Sequence, residues 1–244
     1  ADSTFKCREA KILPKIRAKG KVYGMQYWVA RIGFLTALVA FIALIAYLAA
    51  TGLQILGVLV YPWDAILIFG LSLLIATPFT LAMLALNHLI PSEKKFWTDG
   101  ALIFAVMYNI FVTINYTVQL TATIPYSNPA LAQTPHSLFW TLDALGYIFM
   151  GLATLFASPA FETQGLQKWT KISFLANALV TPLIATVYFY PTSSAAWNLG
   201  SKGLSPPFST SSSSLMLSLG LPWIITAPAS MLFLALFLRS KSRL

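Results

Sequence analysis

Residues 32–52 read Ile-Gly-Phe-Leu-Thr-Ala-Leu-Val-Ala-Phe-Ile-Ala-Leu-Ile-Ala-Tyr-Leu-Ala-Ala-Thr-Gly, without a charged side chain. At 1.5 Å per residue such a helix is about 30 Å long, the thickness of a bilayer's hydrocarbon core. Five further apolar runs follow, at 64–90, 101–121, 138–157, 172–190 and 215–238. Each is continuous rather than alternating in polarity, which argues helix against barrel strand. A helix also pairs its own backbone N–H and C=O groups where there is no water to do so. The expected fold is all-α: a polytopic membrane protein built as a six-helix transmembrane bundle.

Composition agrees. Of 244 residues, 57% are hydrophobic and 9% charged, against roughly 45–50% and about 25% in soluble domains. The formal net charge of +9 would suggest nucleic acid in a soluble chain. Here no recognition motif accompanies it, so nucleic acid is excluded and the basic residues are assigned to the membrane surface.

Their placement gives an orientation. Six crossings put residues 1–31, 91–100, 158–171 and 239–244 on one side. That side collects fifteen of the 16 Lys+Arg, all but Lys202. The positive-inside rule then places both termini in the cytoplasm and the protein in the cytoplasmic membrane. Residues 1–31 hold Lys6, Arg8, Lys11, Lys15, Arg17, Lys19, Lys21 and Arg31, interspersed with apolar and aromatic side chains. Pro14 and Gly20 argue against one long helix there. The expectation is a surface-lying segment on anionic lipid headgroups, followed by a transmembrane domain at 32–238 and a basic tail at 239–244. Residues 1–28 lack an apolar run before a small-residue cleavage site, so no signal peptide is expected. Cys7 is the lone cysteine and reads as an unreactive thiol.

Most chemistries are excluded. His88 and His136 fall at opposite faces and Cys7 on a third segment, so no metal and no haem or other cofactor is expected. Neither a phosphate-binding glycine loop nor a nucleophile elbow occurs. With a single well-placed titratable group, acid–base catalysis is not expected.

That group is Asp143, the one acid inside a span. It lies about 7–8 Å below the start of its helix. A carboxylate at such depth turns toward the bundle interior or a wet cavity. Tyr147 follows four residues on, along the same face. In the third run Asn115 and Gln119 share a face with each other and with Tyr108. Asn115, Gln119, Asp143 and Tyr147, joined by His136 and Tyr188, make an outward-facing polar pocket for a small solute or ion. The other reading of the same residues is helix–helix glue. Pro78, Pro182 and Pro228 fall mid-span and are candidate hinges. Gly146, Gly151, Ala153 and Ala157 make no G-x-x-x-G and read as ordinary packing.

Three stretches, Asn115-Tyr-Thr-Val-Gln-Leu120, residues 142–157 and Phe174-Leu-Ala-Asn-Ala178, resemble uncharacterised multi-spanning bacterial membrane proteins. The resemblance covers the third to fifth runs. It implies a bundle of six or seven helices and no particular activity, and it directs attention to Asn115, Gln119, Asp143 and Asn177. Binding or transport of a small solute or ion is the expected function, with a non-catalytic subunit of a larger membrane complex as the alternative.

Overall fold

The computed structural model describes residues 3–126, 131, 137–189 and 210–242, with side chains described over 24–126, 131, 137–185 and 222–242. Among these residues every regular element is helical. Helix α1 spans Ser3–Ile55, α2 Trp63–Leu89, α3 Lys95–Val118, α4 Leu138–Ala157, α5 Gly165–Phe189 and α6 Thr210–Lys241. Five stretches are long and apolar enough to cross a membrane: Gly24–Ile55, Trp63–Leu89, Ser92–Tyr126, Leu138–Ala160 and Pro222–Lys241. Within the described residues the remaining helix, α5, is not among these five.

Each helix packs against its neighbours in sequence, and α6 closes back onto α1. Residue pairings show that every adjacent pair is antiparallel. Gln54 meets Asp64 between α1 and α2, and Asn87 meets Asp99 between α2 and α3. Phe104 stacks on Phe149 near one end of the α3–α4 seam, while Tyr116 meets Asp143 near the other. Asn177 joins Thr226 and Ser173 joins Ser230 between α5 and α6. Arg239 lies over Phe34, while Trp223 meets Tyr47. The helices therefore form an up-and-down ring. The span of α1 begins, and α6 finishes, at the same end.

The side-chain pattern is inverted relative to a soluble bundle. In α1 the small residues Ala30, Ala37, Ala40 and Ala43 are buried, while Ile32, Leu35, Val39, Ile42 and Ile45 are exposed. In water that outer stripe would be an apolar liability; against lipid tails it matches its solvent. Small residues inside let backbones approach closely. A Cβ on Gly33 would stand 2.5 Å from Ala85 Cβ, and one on Gly146 would stand 3.0 Å from Val112 Cγ2.

Helix ends follow local chemistry. After α1, Gly57 adopts a φ of 70°, a left-handed conformation that glycine takes without strain. Val58 N donates to Leu53 O and Gly57 N to Gln54 O, both at 3.0 Å, the paired bonds of a Schellman stop. Ser137 opens α4, its hydroxyl accepting from Trp140 N at 3.4 Å, as an N-cap serine should. Asp64 in the first turn of α2 accepts 2.7 Å bonds from Ala65 N and from Gln54 Nε2. This buried carboxylate ties α1 to α2 and meets the positive end of the α2 dipole.

Two expectations need correction. Pro14 and Gly20 do not interrupt α1, whose backbone is helical from Ser3. A proline removes one backbone bond, and the flanking turns keep theirs. The apolar runs also understate helix length: α3 begins at Lys95 and α5 at Gly165. A helix is defined by its backbone bonds and can run on past its apolar residues. Helices α2, α5 and α6 continue through Pro78, Pro182 and Pro228, and α6 contains Pro222 as well.

Candidate functional site

Helix α4 places Asp143 five residues after Leu138, facing α3. Tyr116 donates its hydroxyl to Asp143 Oδ1 at 2.6 Å. The pair is buried, Asp143 being 8% exposed. It borders a central cavity of about 20 Å³, room for about one water molecule.

Five of the helices supply its wall. Tyr47 comes from α1, Ser72 and Ile75 from α2, Tyr108, Val112 and Tyr116 from α3, and Tyr147 joins Asp143 from α4. Trp223 arrives from α6 and wedges between two tyrosines, its ring 6.0 Å from that of Tyr47 and 5.0 Å from that of Tyr147, both edge-on. Packing fixes the other rings. Tyr116 stacks on Phe69 at 5.2 Å, and Tyr108 meets Phe79 edge-to-face at 5.3 Å. Ser72 donates to Ile68 O at 2.9 Å. Among the described residues, Trp223 Nε1, a fully buried atom on a residue 8% exposed, finds no protein partner.

The wall is thus rich in electron density. It offers a carboxylate, hydroxyl oxygens that both donate and accept, aromatic faces and one indole N–H. Ring faces attract cations through their quadrupole, and a buried carboxylate is stabilised by a cation or by a proton.

The expected site residues separate here. Asp143 and Tyr147 line the cavity. Asn115 and Gln119 lie on one face of α3 and are both buried, but neither borders the cavity. Asn115 Nδ2 donates to Phe139 O at 3.3 Å, clipping α3 to the first turn of α4. Gln119 Nε2 donates to Leu131 O at 2.8 Å, and its Oε1 has no partner among the described residues. Gln119 opens a π-helical turn, Gln119–Thr123, which carries α3 on into a last α-turn, Ile124–Tyr126. The extra residue in that turn changes which side chains face inward. His136 lies outside the described residues, as does the side chain of Tyr188.

Sequence reasoning missed Tyr47, Ser72, Tyr116 and Trp223. A usable signal existed in the spacing of Tyr108, Val112 and Tyr116 at i, i+4 and i+8, one face of a helix. Asn115, seven residues past Tyr108, sits beside that face, and the two positions compete in the pattern.

A second polar system joins α4, α5 and α6. Asn177 Nδ2 donates to Thr154 Oγ1 and Asn177 Oδ1 accepts from Thr226 Oγ1, each at 3.2 Å. Ser230 Oγ donates to Ser173 O at 3.0 Å, and Thr170 Oγ1 to Phe233 O at 3.3 Å. Thr170, Ser173 and Asn177 recur at i, i+3 and i+7 on α5, a polar stripe matched by its neighbours. All of these bonds are internal, so the seam is helix–helix glue.

The end of the ring nearer the termini is clasped by side chains at helix ends and in the connections between them. Lys95 Nζ donates to Asn87 O and Oδ1, and Asn87 Nδ2 donates to Asp99 Oδ1 at 2.7 Å. Lys94 bonds Ala160 O at 3.2 Å and pairs with Glu162 at 3.9 Å. Lys95 thereby caps the negative end of α2. Among the described residues no three His, Cys, Asp or Glu side chains converge.

Compared with protein-family models, curated proteins and solved structures, the chain matches none.

Proposed function

We propose that this chain crosses the cytoplasmic membrane six times, with both termini inside, and that it binds a small cation at Asp143 and passes it across the bilayer. The observation that carries this reading is the position of Asp143. It stands in the middle of a ring of helices, at a cavity, and within a wall of oxygen atoms and ring faces. The cavity lies nearer the end bearing the α1–α2 turn, so the site opens more readily to the outer side. Pro182 and Pro228, on α5 and α6, and Pro78, on α2, are the points at which the ring would flex to expose the other side.

Exposed aromatics support the membrane placement. Trp28, Trp97 and Trp169 ring the terminal end; Tyr61, Trp63 and Tyr126 ring the other. Belts of this kind sit at headgroup level. The basic residues of 1–31 then meet anionic lipid.

The test is reconstitution into liposomes with a potential-sensitive dye. Imposed cation gradients of H⁺, Na⁺ and K⁺ should each be tried, with Asp143→Asn alongside. A dye response to at least one gradient, lost in that variant, supports the reading. Equal responses from protein-free and protein-bearing liposomes under every gradient contradict it.

A further inference from the structure

We infer that the cation is the proton, held by Asp143 together with one ordered water that Trp223 Nε1 fixes in the cavity. This rests on the reading of Asp143 as an ion site and narrows it to one species.

Three observations lead there. The first is size: about 20 Å³ admits one water-sized particle and excludes an organic cation. The second is the indole N–H. Trp223 is nine-tenths buried, it borders the cavity, and its Nε1 has no protein acceptor among the described residues. An N–H beside that space needs a lone pair. Na⁺, K⁺ and NH₄⁺ have none to give, and each would meet the positive end of the N–H dipole. Water has two lone pairs and two protons, so it can accept from Trp223 and donate to the oxygens opposite. The third is the company around the carboxylate. Tyr47 on α1, Tyr108 and Tyr116 on α3 and Tyr147 on α4 are the titratable groups of the described wall; α2 contributes Ser72, α6 contributes Trp223, and no described α5 residue borders it. Hydroxyls of this kind both donate and accept, as a proton relay requires.

The step balances simply. A proton reaching the bound water makes it hydronium. One O–H bond of the hydronium breaks and an O–H bond to Asp143 Oδ forms, leaving neutral water and a neutral carboxyl. Release is the reverse, toward the other side. Tyr116 holds Asp143 Oδ1 at 2.6 Å throughout and orients the carboxyl without changing its own protonation.

The experiment uses the full chain in phosphatidylcholine–phosphatidylglycerol liposomes with a pH-sensitive dye inside and a valinomycin-clamped K⁺ potential. Infrared difference spectra between acid and alkaline pH are recorded on the same samples. Proton entry above that of protein-free liposomes is expected, falling to the protein-free rate in Asp143→Asn. Trp223→Phe keeps an aromatic ring and loses the N–H, and should slow entry about tenfold. A neutral-carboxyl C=O band should appear at acid pH, vanish in Asp143→Asn and shift in both Trp223→Phe and Tyr116→Phe. The last two variants keep the test decisive if Asp143→Asn fails to fold. Na⁺ uptake, or K⁺ uptake measured without valinomycin, that is abolished by Asp143→Asn, with no proton entry, overturns this inference and leaves the cation site standing. Proton entry and a carboxyl band both unchanged in Trp223→Phe overturn the water site. Absence of any ion movement together with absence of the Asp143 band overturns both.

Discussion

Gly151→Ala is the sharpest test of the ring. At this point α4 crosses α5 opposite Thr181. A Cβ added to Gly151 would stand 3.0 Å from Thr181 Cβ and 3.6 Å from Thr181 Cγ2, and closer still to Thr181 Oγ1. Rotating Thr181 about χ1 moves Oγ1 and Cγ2 but leaves its Cβ in place. Ordinary contact begins at 3.4 Å, so the two backbones must part by about half an ångström. Overpacking of this kind costs about 1–3 kcal/mol. Asn177, one turn from Thr181, bonds Thr154, less than one turn from Gly151, and stretching that bond adds about 0.6 kcal/mol. The change from glycine to alanine in a helix offsets about 0.5–1 kcal/mol of this, and a net loss of about 1–3 kcal/mol follows. It is measured by reversible unfolding in mixed micelles, titrating denaturing detergent and following helicity by circular dichroism. Adding Thr181→Ala to Gly151→Ala deletes Oγ1 and Cγ2 but not Cβ, and should return about half of the loss. A Gly151→Ala protein within about 0.5 kcal/mol of the parent would mean that α4 and α5 do not approach as described, and the shape of the cavity would fall with them.

Gly70→Ala is the control: nothing lies within 4 Å of the added Cβ, so the same titration should show a gain of about 0.5–1 kcal/mol from helix propensity. Thr181→Val replaces a buried hydroxyl that has no hydrogen-bond partner among the described residues with a methyl of similar shape, and should be neutral or stabilising by about 1 kcal/mol. Asn177→Leu removes both bonds that join α5 to Thr154 and Thr226; a loss of about 1–3 kcal/mol is expected, with the hydroxyl partners left buried.

The apolar runs showed where helices lie, because each must pair its backbone and shed its charges to sit in lipid. They did not show where helices end. Gly165 and Lys95 begin their helices well before the apolar residues do, because backbone hydrogen bonding, not hydropathy, defines a helix. Nor did they show which face of each helix turns inward. In a water-soluble bundle, hydrophobicity marks the inner face; here both faces are apolar, and the discriminating feature is side-chain size. The alanines of α1 mark its inner face more clearly than any polar residue does.

The site was legible to the same partial extent, for a related reason. Asp143 stands out because a carboxylate in a span has no bland explanation by composition alone. Its neighbours do not stand out, because tyrosine and tryptophan count as hydrophobic in the pattern that defines the spans. Polarity drew attention to Asn115 and Gln119, yet amides have enough hydrogen-bonding capacity to be consumed by backbone carbonyls, as both are. A phenol or an indole carries one polar atom at the end of a large ring, so packing the ring can deliver that atom to a cavity. Helix-to-helix spacing then decides which rings converge, and that spacing depends on Gly146 and Gly151. Two glycines that read as ordinary packing therefore hold α4 where Asp143 can meet Tyr116. This is why a methyl group added two turns away from the carboxylate is expected to disturb the site as surely as a change to the carboxylate itself.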